Sequence, residues 1–421
     1  MAREMKDSGV EWIGQIPKSW EVVKVKNIFK NTKKIVGDRE KEFERLALTL
    51  KGVLKRDKND NKGLQSEKFS TYQILEKDEL VFKMIDLENK NTSRVGFSKY
   101  IGIVSPVYII LNNDKYTRYG YYFFYDMWQR YIFNTLGNNG VRSALNAKDM
   151  LNLPFLKLDL REQEKIANYL DKKVMDIDLI IEKTKITIEN YKKYKQSIIT
   201  EAVTKGLNPN VEMKDSGIEW IGQIPKHWKK INPKALFYQR KDRAKKDDRQ
   251  LTASQKYGIM YQDEFMEKEG VRVTVVQKDF DILKHVEPND FVISMRSFQG
   301  GLEYSELSGC ISSAYVMLIP NLGKVYPKFF KFFFKSFKYI NALQSTSNLV
   351  RDGQAMRYSN FSQLYLVEIP LEEQKEIAEY LDKKIAEIDN LIAKKESLIS
   401  EMEEYKKSLI YECVTGKKEI I

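Results

Sequence analysis

Gln163 to Lys173 reads QEKIANYLDKK, and Gln374 to Lys384 repeats it as QKEIAEYLDKK. Both copies run on with alternating steps of three and four residues. The first passes through Leu170, Val174, Ile177, Ile181, Thr184, Ile188, Tyr191, Lys195, Ile198 and Ala202. The second passes through Leu381, Ile385, Ile388, Ile392, Lys395, Ile399, Met402, Lys406, Leu409 and Cys413. That period is a coiled-coil seam. Neither stretch contains Pro, neither has Gly before Gly206 or Gly416, and the outward positions are mostly Lys, Glu, Asp and Asn. So long a stripe cannot bury itself, so each helix is expected to find its partner in the other. About 45 residues at 1.5 Å per residue make a rod of roughly 65 Å.

A second repeat precedes each helix. MKDSGVEWIGQIPKSW (Met5–Trp20) returns as MKDSGIEWIGQIPKHW (Met213–Trp228). The order is thus repeated segment, variable region, helix, and then the same again, an internal duplication that argues for twofold pseudo-symmetry. Trp12, Trp20, Trp220 and Trp228 read as apolar anchors against the neighbouring domain. In the first variable region LALTLKGV (from Leu46), ELVFKMI (from Glu79) and GIVSPVYIIL (from Gly102) have β character, and Tyr119–Phe133 reads as a helix whose aromatics form core. The second region answers with KYGI around Gly258, DFVISMRSF, GCISSAYVML and FFKFFFKSFKYI. The fold class expected is α+β, two similar domains joined by two long helices. The segments are 1–160, 161–206, 207–370 and 371–416, with repeats at 5–20 and 213–228. Gly206 caps the first helix and Pro209 keeps the linker from extending it.

Lys and Arg number 71 against 59 Asp and Glu, a net charge of +12, which favours a polyanionic partner. Two cysteines, Cys310 and Cys413, exclude a disulfide framework and a cysteine-rich zinc site. No apolar run approaches a membrane span and the start lacks a signal peptide's apolar region, so a cytoplasmic chain with no membrane partner is expected. Catalytic motifs are missing too. There is no phosphate-binding glycine loop, and His227 and His285 lack metal-ligand spacing. Asn208-Pro209-Asn210 resembles an amino-methyltransferase motif but lacks its aromatic residue and reads as linker. The chain is therefore expected to be non-catalytic, with no metal site and no cofactor of its own.

Basic and amide residues in turns are the candidates for DNA contact. The loop holding Asn138, Asn139, Arg142 and Ser143 is answered by one holding Arg351, Gln354 and Arg357. Arg pairs with guanine, and Asn or Gln with adenine, through two bonds each. Lys33 and Lys34, and in the second half Arg240, Lys241, Arg243, Lys245 and Lys246, suit phosphate contacts. Arg94 and Arg296 follow the ELVF and DFVI strands and are expected to reach a groove.

This pattern of parts resembles the specificity subunits of type I restriction-modification systems. The resemblance covers essentially the whole chain. It rests on DSGVEWIGQIPKSW and its near-copy, on IVSPVY, and on the E-Q-x-x-I-A-x-Y-L-D-K-K helix start at Glu162 and Glu373. It implies that each variable region is a target recognition domain reading one half of a bipartite double-stranded DNA site. It also implies an antiparallel coiled coil that fixes their spacing. Two modification subunits, methylating adenine with S-adenosylmethionine, and restriction subunits using ATP and Mg would be the partners. One departure is Asp159, in LKLDLREQ, where Pro370 stands in the second half; a looser start to the first helix is expected.

Two similar readers on one rod would meet one face of the duplex, with half-site centres about 10 bp apart. If each reads roughly three to five pairs, a gap of about six remains. Unlike loops imply an asymmetric site. Lengthening the first helix near Thr184 should lengthen the gap and leave both halves unchanged. Lys195 and Lys406, at seam positions, either fix register or extend their heads to solvent. The alternative function is a stand-alone two-lobed DNA-binding regulator.

Overall fold

The computed structural model describes residues 3–57, 69–88, 92–113, 115–136, 144–254, 256–273, 282–294, 302–346 and 356–420. Four helices carry the argument: α1 (Thr117–Gln129), the long α2 (Leu160–Lys205), α3 (Pro327–Phe333) and the long α4 (Leu371–Val414). The chain forms two compact units. Unit 1 combines Met1–Thr184 with Ser397–Ile421, and unit 2 is Lys185–Glu396. The boundary falls inside both long helices, so packing groups the chain differently from the order of its sequence segments. Each unit is built from both helices because each must bury a seam.

Within unit 1, Trp20 donates its indole N–H to Glu162, in the first turn of α2, at 2.8 Å. The same ring packs on Gly416, just past the end of α4, and Lys406 of α4 reaches Asp178 of α2 at 2.6 Å. The helix segments are therefore antiparallel. Unit 2 repeats the arrangement. Trp228 donates to Glu373 in the first turn of α4 at 2.9 Å and lies against Gly206, just past α2, while Lys195 reaches Asp389 at 2.6 Å. Every seam position named above is buried or half-buried. Lys195 and Lys406 have half-buried stems, and their heads pair with aspartates across the helices.

The helix ends have identifiable causes. Gly206 adopts φ +75° and its N–H bonds the Ala202 carbonyl, the left-handed cap that glycine accepts without strain. The expected loosening at Asp159 is corrected: its carboxylate accepts the Arg161 N–H at 2.9 Å, satisfying a helix-terminal donor that proline would have left open.

Unit 1 holds a four-stranded antiparallel sheet. Its strands are β1 (Lys30–Thr32), β3 (Leu80–Phe82), β4 (Val95–Phe97) and β6 (Ile109–Asn112), in the order β1-β6-β3-β4, beside a separate pair of β2 (Gln73–Leu75) and β5 (Gly102–Val104). Unit 2 matches it strand for strand. β7 (Phe237–Arg240), β9 (Phe291–Ser294), β10 (Glu303–Tyr304) and β12 (Tyr315–Pro320) run β7-β12-β9-β10, and β8 (Lys284–Val286) pairs with β11 (Gly309–Ile311). Turns repeat as well: Asp78 and Asn289 both take positive φ before the central strand, as do Gly52 and Gly258 in the flanking hairpins.

The aromatic segments are core. In unit 1, Phe29, Phe82, Tyr119, Phe123, Phe124 and Phe155 bury one another; in unit 2, Phe237, Phe291, Phe330, Phe333, Phe334 and Phe361 do so. Trp20 and Trp228 are almost fully buried, as anchors should be. The single helix expected over Tyr119–Phe133 is corrected. α1 ends at Gln129, Tyr131 takes φ +59°, and a short helix follows at Ile132–Leu136.

Candidate nucleic-acid interface

The sheets supply a rigid floor, and the candidate contacts stand on loops at matching places in the two units. In unit 1 the loop after β1 bridges to β2 through Ile35 and Gln73; in unit 2 the loop after β7 bridges to β8 through Arg243 and Lys284. Lys33 and Lys34 are exposed on the first loop, and Lys241, Arg243, Lys245 and Lys246 on the second. Lys34 pairs with Glu76 at 2.7 Å, which raises its ammonium above the ordinary lysine value; Lys245 pairs with Glu287 at 2.8 Å. Arg243 donates to the Ile282 carbonyl at 2.9 Å. Among the described residues, Lys33, Lys241 and Lys246 make no ion pair, so their charge is available to a phosphate.

Two arginines expected at the interface are engaged within their own units, Arg94 buried and Arg240 half-buried. Arg94 is 1% exposed and donates to the carbonyls of Ile85 at 3.2 Å and Asp86 at 2.6 Å; burial lowers its value. It fastens the turn after β3 and cannot enter a groove. Arg240 holds Asp290 with two bonds, at 2.6 and 3.0 Å, and reaches Asp242 at 2.8 Å. Burial pushes the Asp290 carboxyl up and the guanidinium pulls it back. Unit 1 solves the same problem without a guanidinium. Thr32 takes the place of Arg240, and Glu79, in place of Asp290, accepts from Thr32 and Asn112.

Arg357 is exposed at the start of a short helix, Tyr358–Gln363. Asn138, Asn139, Arg142, Ser143, Arg296, Arg351 and Gln354 lie outside the described residues. Each unit also carries a cleft of about 650 Å³ beside its long helices. Carboxylates line both, Asp171, Asp178 and Glu182 in unit 1 and Glu303 and Glu306 in unit 2. Arg118 is already bonded to Asp171, and Lys335 to Glu303. Lys51 and Lys99 also line the first cleft and Lys195 and Lys331 the second, so neither wall is of one sign and charge does not select either cleft as the interface.

His285 was missed by the sequence reading. It is 1% exposed, with Nδ1 at 2.8 Å from Asp248 and Nε2 at 2.6 Å from Glu287. No spacing signal marks it, because its partners come from two other turns. Among the described residues no group of His, Cys, Asp and Glu could hold a metal, and no helix is long and apolar enough to cross a membrane.

No protein-family model matches the chain. A chain described as the type I restriction enzyme MjaX specificity subunit of Methanocaldococcus jannaschii is 24% identical over 424 residues, covering 96% of this chain and 95% of that one. Among solved structures, one concerned with complex assembly and conformational transition of the type I R-M system contains a chain with a TM-score of 0.68. It is 13% identical, over 95% of this chain and 98% of that one. The HsdS subunit from Thermoanaerobacter tengcongensis gives a TM-score of 0.50 at 13% identity, over 96% of this chain and 98% of that one. At these identities the structural likenesses establish a shared fold.

Proposed function

We propose, for a chain that belongs to the specificity subunits of type I restriction-modification systems, that each compact unit reads one half of an asymmetric bipartite DNA site. The long helices set the gap between the halves and dock two modification subunits. Adenine methylation with S-adenosylmethionine belongs to those partners, and ATP- and Mg-dependent translocation and cleavage to restriction subunits that join them.

The observation that carries this reading is the duplication. Scaffold residues match between the units at the tryptophan anchors, the left-handed turns and the strand order, whereas the loops after β1 and β7 differ in length and charge. Two equal frames with unequal basic loops suit two unequal words. A likeness spanning nearly the whole chain favours the specificity subunit over a stand-alone regulator.

The test is a map of methylated adenine in cells carrying the complex. Replacing residues 229–369 with the corresponding region of a relative is expected to change one half of the motif and leave the other. The ruler has its own test. Lengthening one helix alone would break the antiparallel register in which Asp178 meets Lys406. A heptad added to each helix, after Thr184 and after the facing Ser400, keeps the seam in phase and adds about 10 Å. The gap should grow by about three base pairs with both halves intact. Altered halves with a constant gap would remove the ruler.

A further inference from the structure

The two units disagree at one buried place, and the disagreement has a chemical content. In unit 1, Val36, Ile74 and Ile103 form a small apolar cluster with Phe43 against it. In unit 2 the equivalents are Ala244, His285, Cys310 and Asp248. Three matched contacts fix the correspondence. Ile74 faces Ile103 as His285 faces Cys310. Ile103 N–H bonds the Glu44 carbonyl as Cys310 N–H bonds that of Arg249, and Val36 N–H bonds Tyr72 as Ala244 N–H bonds Leu283. A satellite core in one unit has become a polar clamp in the other.

A neutral imidazole has one N–H and one lone pair, yet both ring nitrogens of His285 face carboxylates at hydrogen-bond distance. Both contacts are attractive only when the ring is an imidazolium. Asp248 Oδ2 also accepts the Lys245 N–H at 2.8 Å, and Asp248 N–H bonds the Lys245 carbonyl. Asp248 thereby closes the turn that carries Lys246, while the His285 backbone amide bonds the Asp242 carbonyl beside Lys241, as the Ile74 amide bonds that of Lys34. The other charged or titratable groups against the ring are known. Lys245 pairs with Glu287, Arg243 and Lys284 flank the clamp as a β-bridge, and Cys310 is a thiol pushed up to about 11 by burial.

We propose that His285 is a positioning residue. As an imidazolium it holds the loop that presents Lys241 and Lys246 to DNA, so the grip of unit 2 on its half-site weakens as pH rises. Unit 1, with Ile74 in that place, has no such dependence. The inference rests on the DNA-reading function proposed above. The sign follows from the lost proton: one carboxylate contact turns from attraction to repulsion, and the loop loosens.

The experiment uses the full chain assembled with its modification partner, at fixed salt. The probes are a duplex bearing the methylation motif and two duplexes with one half scrambled; the half belonging to unit 2 is the one altered by exchanging residues 229–369. Between about pH 6 and 8.5 the affinity contributed by that half should fall about tenfold. The contribution of the other half should hold within about twofold. His285→Gln keeps a donor and an acceptor but cannot charge, and should show the alkaline value at both pH values. The double variant His285→Ile, Asp248→Phe copies the packing of unit 1 and should remove the slope if the glutamine variant does not fold. A constant contribution in the wild type, or a wild-type slope in either variant, overturns the inference. A second readout needs no DNA. Amide exchange at residues 241–250 in the full chain, normalised for intrinsic rates, should rise with pH in the wild type and stay at the open level at both pH values in His285→Gln. If it does so while no duplex is bound selectively, the functional reading fails and the clamp stands.

Discussion

Arg94 and Arg240 look in sequence like any basic residue beside a strand, and their roles are decided by neighbours the fold brings to them, within a single hairpin for Arg94 and across the sheet for Arg240. Three carbonyls between Lys83 and Asp86 turn toward Arg94, and Asp290 approaches Arg240 across the sheet. Composition and spacing carry no record of such approaches, which is why Arg94 reads as a groove contact and Arg240 as a phosphate contact. Asp290 is 1% exposed, so Arg240→Ala strands a buried charge and should cost about 3 kcal/mol in a urea titration. Loss of DNA binding by that variant at low temperature, with its stability unchanged, would return Arg240 to the interface. Glu287 gives a prediction in acid. The His285 contact, and then Lys245, holds its carboxyl down to about 2. A carboxylate whose folded value is depressed contributes stability that is present above its unfolded value and disappears as pH falls through the folded one. The stability difference between wild type and Glu287→Gln should therefore shrink as pH drops from about 5 toward 2. A difference that is constant over that window would mean that the His285–Glu287 contact is not ionic.

At the scale of elements the long helices were legible because a seam repeats a local rule many times, and no single exception hides it. The β runs were legible for the same reason, and their order in the sheets came from tertiary pairing that alternation does not encode. The break at Tyr131 was not legible, since nothing in YDMWQRYIF marks a left-handed residue. The seam separates two kinds of contribution. Ile181 is 7% exposed, and Ile181→Ala should cost about 2–4 kcal/mol through lost burial and the cavity left behind. The Lys406–Asp178 pair is different, because the aspartate side chain is 54% exposed and water screens the attraction. A double-mutant cycle with Lys406→Met and Asp178→Asn should give a coupling below about 1 kcal/mol. A coupling several times larger would mean that the pair is a register lock whose energy the exposure conceals.

For the whole molecule, the duplication was visible in sequence but its packing consequence was not. Leu409, Ile410, Cys413 and Val414, from the second half of the chain, lie in the core of unit 1, and the Tyr119 hydroxyl donates to the Val414 carbonyl at 2.7 Å. A fragment spanning residues 1–206 therefore lacks part of its own core while carrying α2 in full. The residues of α2 equivalent to the missing ones are Ile198, Ile199, Ala202 and Val203, which serve unit 2 in the same way. Gly206 follows them as Gly416 follows α4, where a Cβ would strike Pro17 and Trp20. Two copies of the fragment can thus complete each other, each lending its helix end to the other's core, an isologous exchange with twofold symmetry. The fragment should run as a dimer in light scattering after gel filtration. Val203→Asp, which puts a charge in the lent core, should convert it to an unfolded or aggregating chain. A folded, monomeric fragment would mean that unit 1 closes without α4, and the division of the molecule through its helices would have no energetic basis.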